Sequence, residues 1–156
     1  MEKRLTLSLI GVLFCLVLID SAVASETKYS PPKPQSQPQE KEILISNNSG
    51  GNIAEFALRM SAINRSSTKV KFAGRCDSAC TMYLGLPLHK ICIAPGAYFR
   101  FHLPQARSVQ TANLAKRFLY RKYPEWVRSW ISSQGGLSSS LITMDYGYAS
   151  RFIRPC

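Results

Sequence analysis

A chain of 156 residues with 20 Lys and Arg against 9 Asp and Glu carries a formal charge of +11, and that length accommodates one domain rather than two. The excess of cations favours anionic surroundings, such as the lipid headgroups and acidic glycans of a cell envelope. The basic residues are scattered, with their densest group at Arg117–Lys122, which argues against a specific nucleic-acid interface.

Lys3 and Arg4, the apolar run from Leu5 to Ile19 and the small residues Ala22-Val23-Ala24 read as a secretory signal peptide over residues 1–24, with export to the periplasm or exterior as its consequence. An uncleaved anchor is the lesser alternative, since the run is near the short end for spanning a bilayer. Lipidation at Cys15 is disfavoured by the bulky Phe14 before it. Residues 25–42 hold Pro31, Pro32, Pro34 and Pro38 among Lys, Gln and Ser, a composition that favours extended conformers without a core and predicts a disordered tether. The folded domain is therefore expected over residues 43–156.

Ile43-Leu44-Ile45 is a short strand candidate running into the turn-forming Ser46–Gly51. Ile53, Phe56, Ala57, Met60 and Ile63 then recur at helical spacing, so the Gly50-Gly51 pair opens an amphipathic helix. Lys69–Ala73 alternates as a strand and ends at Gly74, and Ala79, Met82, Tyr83 and Leu86 predict a helix from Ser78 that Pro87 terminates. Lys90–Ala94 and Ala97–His102 are two further strands around the Pro95-Gly96 turn. Helices are expected over Ala112–Tyr123 and Glu125–Ser133, parted by Pro124 and stopped by Gly135-Gly136. The residues from Leu137 on read as one short helix and a tail. Alternating strands and helices predict an α/β fold: a small, mostly parallel sheet with crossover helices and further helices toward the C-terminus.

Outside the leader the cysteines are Cys76, Cys80, Cys92 and Cys156, an even number that in an exported domain reads as two disulfides with three possible pairings. A spacing of four places Cys76 and Cys80 about 6 Å apart on a helix, within bridging range. That favours Cys76–Cys80 with Cys92–Cys156. Cys76, Cys80 and His89 lack the paired spacing of a zinc site, and neither a metal nor another cofactor is expected.

The chemistry concentrates in Gly74–Thr81, GRCDSACT, with Ser49-Gly50-Gly51 before it and Phe99-Arg100-Phe101-His102 after it. A hydroxyl, a base to take its proton and backbone amides to hold an oxyanion are the requirements of covalent hydrolysis. On these motifs the stretch from Ile43 to Pro104 resembles the ClpP proteolytic subunit and the wider ClpP/crotonase superfamily, nearest to small exported bacterial relatives with a CxSAC serine motif. The resemblance implies a ClpP/crotonase-like fold and a peptidase-like serine hydrolase acting on a peptide or ester. It assigns Ser78 as nucleophile and His102, 24 residues later, as general base. Gly50 or Gly51, with Ala79, would supply the oxyanion amides.

The third member departs from the family, because after His102 the only carboxylates are Glu125 and Asp145. Asp145 fits better by order and spacing, and Glu125 has a helix-dipole reason to sit at a helix start. Asp77, directly before Ser78, either competes for His102 or caps the helix. No lysine matches a serine-lysine dyad. Trp126 and Trp130, four apart on one helix face, read as core packing. The rival reading is a catalytically silent member of the same fold serving as an envelope-binding module, and a third is a protein held at a membrane surface by its charge.

Overall fold

The computed structural model describes residues 41–156. The expected signal peptide, Cys15 and nearly all of the proline-rich tether lie outside the described residues. Five strands form one sheet: β1 (Glu42–Asn48), β2 (Lys69–Asp77), β3 (Ile91–Ile93), β4 (Tyr98–Phe101) and β5 (Ile142–Met144). Four α-helices accompany them: α1 (Ile53–Arg65), α2 (Val109–Lys122), α3 (Glu125–Ser133) and α4 (Tyr146–Ala149).

The sheet is mostly parallel, as the alternation of elements predicts, because α1 carries the chain from β1 to β2 and the segment from Ser78 to Lys90 carries it from β2 to β3. β2 is its centre. It pairs in parallel with β1 along one side, while β3 and β4 succeed each other along the other side, beside Val70–Phe72 and Arg75–Asp77 respectively. β5 closes the edge antiparallel to β4, with Phe101 opposite Ile142 and Phe99 opposite Met144. This strand lies in the stretch read from sequence as a helix and tail; three residues are too few to show an alternating pattern. The short helix expected there is α4.

β2 buries Val70, Phe72 and Cys76 completely, and β4 buries Phe99 and Phe101. Phe72 meets Phe99 edge to face at 4.9 Å between ring centres, and Phe101 meets Tyr123 the same way at 5.7 Å, arrangements that aromatic quadrupoles favour. Trp130 packs on Phe101 at 5.6 Å, while Trp126 stacks on Phe152 at 4.8 Å. The pair of tryptophans is therefore core and core edge.

Both expected disulfides are present, with Cα separations of 5.4 Å for Cys76–Cys80 and 4.9 Å for Cys92–Cys156. The reason for the first differs from the sequence argument: Cys76 is in β2, not on a helix, and the bridge spans the strand-to-helix turn. The segment after that turn departs from expectation as well, since Ser78–Gly85 is a 3-10 helix rather than an α-helix. Eight residues of 3-10 helix is long for that geometry. The bridge fixes its first turn, and Thr81 Oγ1 donates to the Ser78 carbonyl at 2.6 Å. Among the described residues no helix is long and apolar enough to cross a membrane.

Candidate active site

Ser78 begins where β2 ends, with φ of +53°, and it is the only residue other than glycine with a positive φ among the described residues. The left-handed region costs an L-residue roughly 1–2 kcal/mol, and such strain persists only where the surroundings over-determine it. Three of those surroundings are visible. The Cys76–Cys80 bridge brackets Asp77, Ser78 and Ala79. The buried Asp77 carboxylate is gripped by Arg100 through two bonds, Nε to Oδ1 at 2.8 Å and Nη2 to Oδ2 at 2.5 Å, with Arg75 Nε 3.7 Å away. Beyond Ser78, Thr81 Oγ1 donates to its carbonyl and lies 2.7 Å from the Tyr123 hydroxyl. Thr81 has one hydroxyl proton, so Tyr123 donates to Thr81 and Thr81 to Ser78. Burial holds the Tyr123 hydroxyl well above its ordinary pKa, which keeps it a donor.

Asp77 thus neither caps the 3-10 helix nor is free to compete for His102; Arg100 on β4 occupies it.

The turn before α1 approaches this serine closely. A Cβ on Gly50 would lie 2.8 Å from the Ser78 Cβ and 2.9 Å from the Ala79 nitrogen, contacts real side chains do not make. Gly50 also has φ of +83°. Its own N–H is committed, donating to Asn48 Oδ1 at 2.9 Å. Gly51, by contrast, has φ of +147° and lines the same cleft as Ser78. Ala79 is the second residue of its 3-10 helix, a position whose amide has no partner within the helix.

His102 comes directly after the last residue of β4 and faces that same cleft, a cavity of about 730 Å³ whose walls also include Ser49, Asn52 and Arg107. Its Nδ1 lies 2.6 Å from the Leu103 carbonyl. A carbonyl can only accept, so Nδ1 carries the proton and Nε2 holds the lone pair when the ring is neutral. The Leu103 N–H donates to the Ser138 carbonyl at 2.7 Å, which fixes the backbone carrying the histidine.

Asp145 is not brought to His102. Asp145 directly follows the last residue of β5, Met144, which pairs with Phe99, three residues before His102. Its carboxylate caps α4, accepting from the Tyr148 N–H at 2.8 Å. Glu125 is engaged at the start of α3 with Arg128 Nη2 at 2.5 Å and Ser129 Oγ at 3.2 Å, and the Arg128 bond lowers its pKa. The sequence motifs pointed to Ser78 and His102. They did not expose Asn48, the Leu103 carbonyl or the Tyr123–Thr81 chain. Only Asn48 left a trace, as an Asx residue two before a glycine, the spacing of an Asx turn.

No protein-family model matches the sequence, and no curated protein matches it either. Among solved structures the chain is similar to a mutant ClpP1 from Listeria monocytogenes, at 15% identity over 70% of this chain and 67% of that one, with a TM-score of 0.45. It is also similar to a peptidase from Plasmodium falciparum, at 14% identity over 72% of this chain and 75% of that one, with a TM-score of 0.41.

Proposed function

We propose that this protein is an exported serine hydrolase, peptidase-like in its chemistry. The observation that carries the reading is the left-handed Ser78 and the Nδ1-protonated His102 lining one cleft. In the reaction, Ser78 Oγ attacks a carbonyl carbon while His102 Nε2 takes the hydroxyl proton. The oxyanion forms against the Gly51 and Ala79 amides, where fixed dipoles stabilise developing charge without reorganising. Collapse expels the amine or alcohol, which leaves with the proton held on Nε2, and an acyl-serine remains. Water attacks the ester next, giving its proton to Nε2, and the acid departs as Ser78 recovers its own.

The Leu103 carbonyl does part of the work of a triad carboxylate. It selects the tautomer and aims the ring, but it carries no charge to stabilise the imidazolium. Loss of the orienting acid lowers turnover about 10⁴-fold in a triad enzyme where the wrong tautomer results. Here the tautomer is retained, so a smaller loss of turnover is expected than in that case.

The test is a fluorophosphonate probe on the oxidised protein freed of its leader. Labelling of the wild type, abolished in Ser78→Ala and reduced at least about 100-fold in rate in His102→Ala, is the expected outcome. A folded wild type that takes no label removes the hydrolase reading and leaves a silent binding module.

A further inference from the structure

The cleft around Ser78 is electrically one-sided. Arg107 is the only residue with a permanent charge on its walls, and no carboxylate faces it. Nor does Arg107 have an ion-pair partner among the described residues. Of the acids nearest in sequence to the site residues, Asp77 is held by Arg100 and Arg75, and Glu55 lies 3.9 Å from Arg59 on the exposed face of α1. An unpaired guanidinium is a strong charge-assisted donor with a fixed fork that fits a carboxylate.

Arg107 is also carried by a segment anchored on both sides. Toward the N-terminus, Leu103 is bonded to Ser138 and Pro104 is buried. Toward the C-terminus, Ser108 caps α2, its Oγ accepting from the Thr111 N–H at 3.2 Å and lying 2.9 Å from the Thr111 hydroxyl. A short segment pinned at each end keeps the backbone of the exposed Arg107 near the cleft, which lowers the backbone entropy lost on binding. Arg107, Ser78 and His102 line one cleft, so a peptide lying in it can present a side chain to Arg107 and a carbonyl to Ser78.

From this geometry we infer that the cleft selects peptides with an acidic side chain close to the cleaved bond, and that Arg107 determines this specificity by binding the carboxylate. The inference rests on the hydrolase reading for its reaction, but not for its binding step.

The test separates the two. Using the Ser78→Ala protein, binding of fluorescein-labelled dodecapeptides that differ only in a central Glu, Gln or Lys is followed by anisotropy. The Glu peptide is expected to bind about tenfold tighter than the Gln peptide. Arg107→Glu reverses the order toward Lys. Arg65→Glu makes the same change of net charge at the far end of α1, about 18 Å along the helix from Ile53, and leaves the order unchanged. Equal binding of the three peptides, or equal effects of the two reversals, overturns the inference. Probe labelling without acid preference keeps the hydrolase and discards the acidic specificity. Acid preference without labelling keeps the role of Arg107 in binding and discards the hydrolase.

Discussion

At the scale of single residues, the site is made by atoms that cannot be exchanged for near equivalents. Gly50 has no side chain because Ser78 and Ala79 occupy the space where one would be, and its φ of +83° disfavours any other residue. Gly50→Ala is expected to cost about 2–3 kcal/mol through overpacking and backbone strain, and to abolish probe labelling at temperatures where circular dichroism still reports a fold. Tyr123 makes a pH argument. Its pKa is raised in the folded state by burial, so the unfolded chain gives up the proton more readily. The stability this represents is complete below the unfolded tyrosine pKa of about 10 and is lost as pH rises beyond it. Between pH 8 and pH 10.5 the urea midpoint of the wild type is expected to fall. Tyr123→Phe is lower by about 1 kcal/mol at pH 8, where Thr81 loses its donor, and declines less on going to pH 10.5.

At the scale of elements, the sequence disclosed what periodicity records and withheld what register decides. α1 was legible from Ile53, Phe56, Ala57, Met60 and Ile63, and the strand nature of β2 and β4 from their alternation. The serine and histidine are legible through the resemblance carried by GRCDSACT and Phe99-Arg100-Phe101-His102. Asp145 misleads because chain order says nothing about which group an acid will serve; here its carboxylate caps α4 just after β5. The apolar residues of the 3-10 segment satisfy either helical spacing, so the sequence alone predicts an α-helix there. A disulfide and a threonine bond to a backbone carbonyl are what tighten it. The Leu103 carbonyl had no sequence signal at all, since every residue has one.

At the scale of the whole molecule, the two disulfides do different jobs. Cys92–Cys156 joins residues 64 apart, where Cys156 N–H donates to the Ile93 carbonyl at 3.1 Å and Pro155 bridges Ile93. By register Cys92 lies opposite Lys71, near the start of β2 and away from Ser78. The Cys92→Ser, Cys156→Ser double variant is expected to lose about 4 kcal/mol on the chain-entropy model, lowering the melting temperature by more than roughly 10 °C. It still labels below its new transition. The Cys76→Ser, Cys80→Ser variant opens a far smaller loop and loses less stability, yet loses labelling, because the turn at Ser78 is no longer clamped.

β2 has neighbours on both sides along its length and ends in Ser78. A strand so enclosed exchanges its amide hydrogens last, whereas α2, with Leu119 as its one buried side chain, opens earlier. Ser78 is therefore attached to the strand expected to open last, and Arg107 adjoins a helix expected to open sooner. Gentle denaturant is expected to erase the preference among peptides before it abolishes probe labelling.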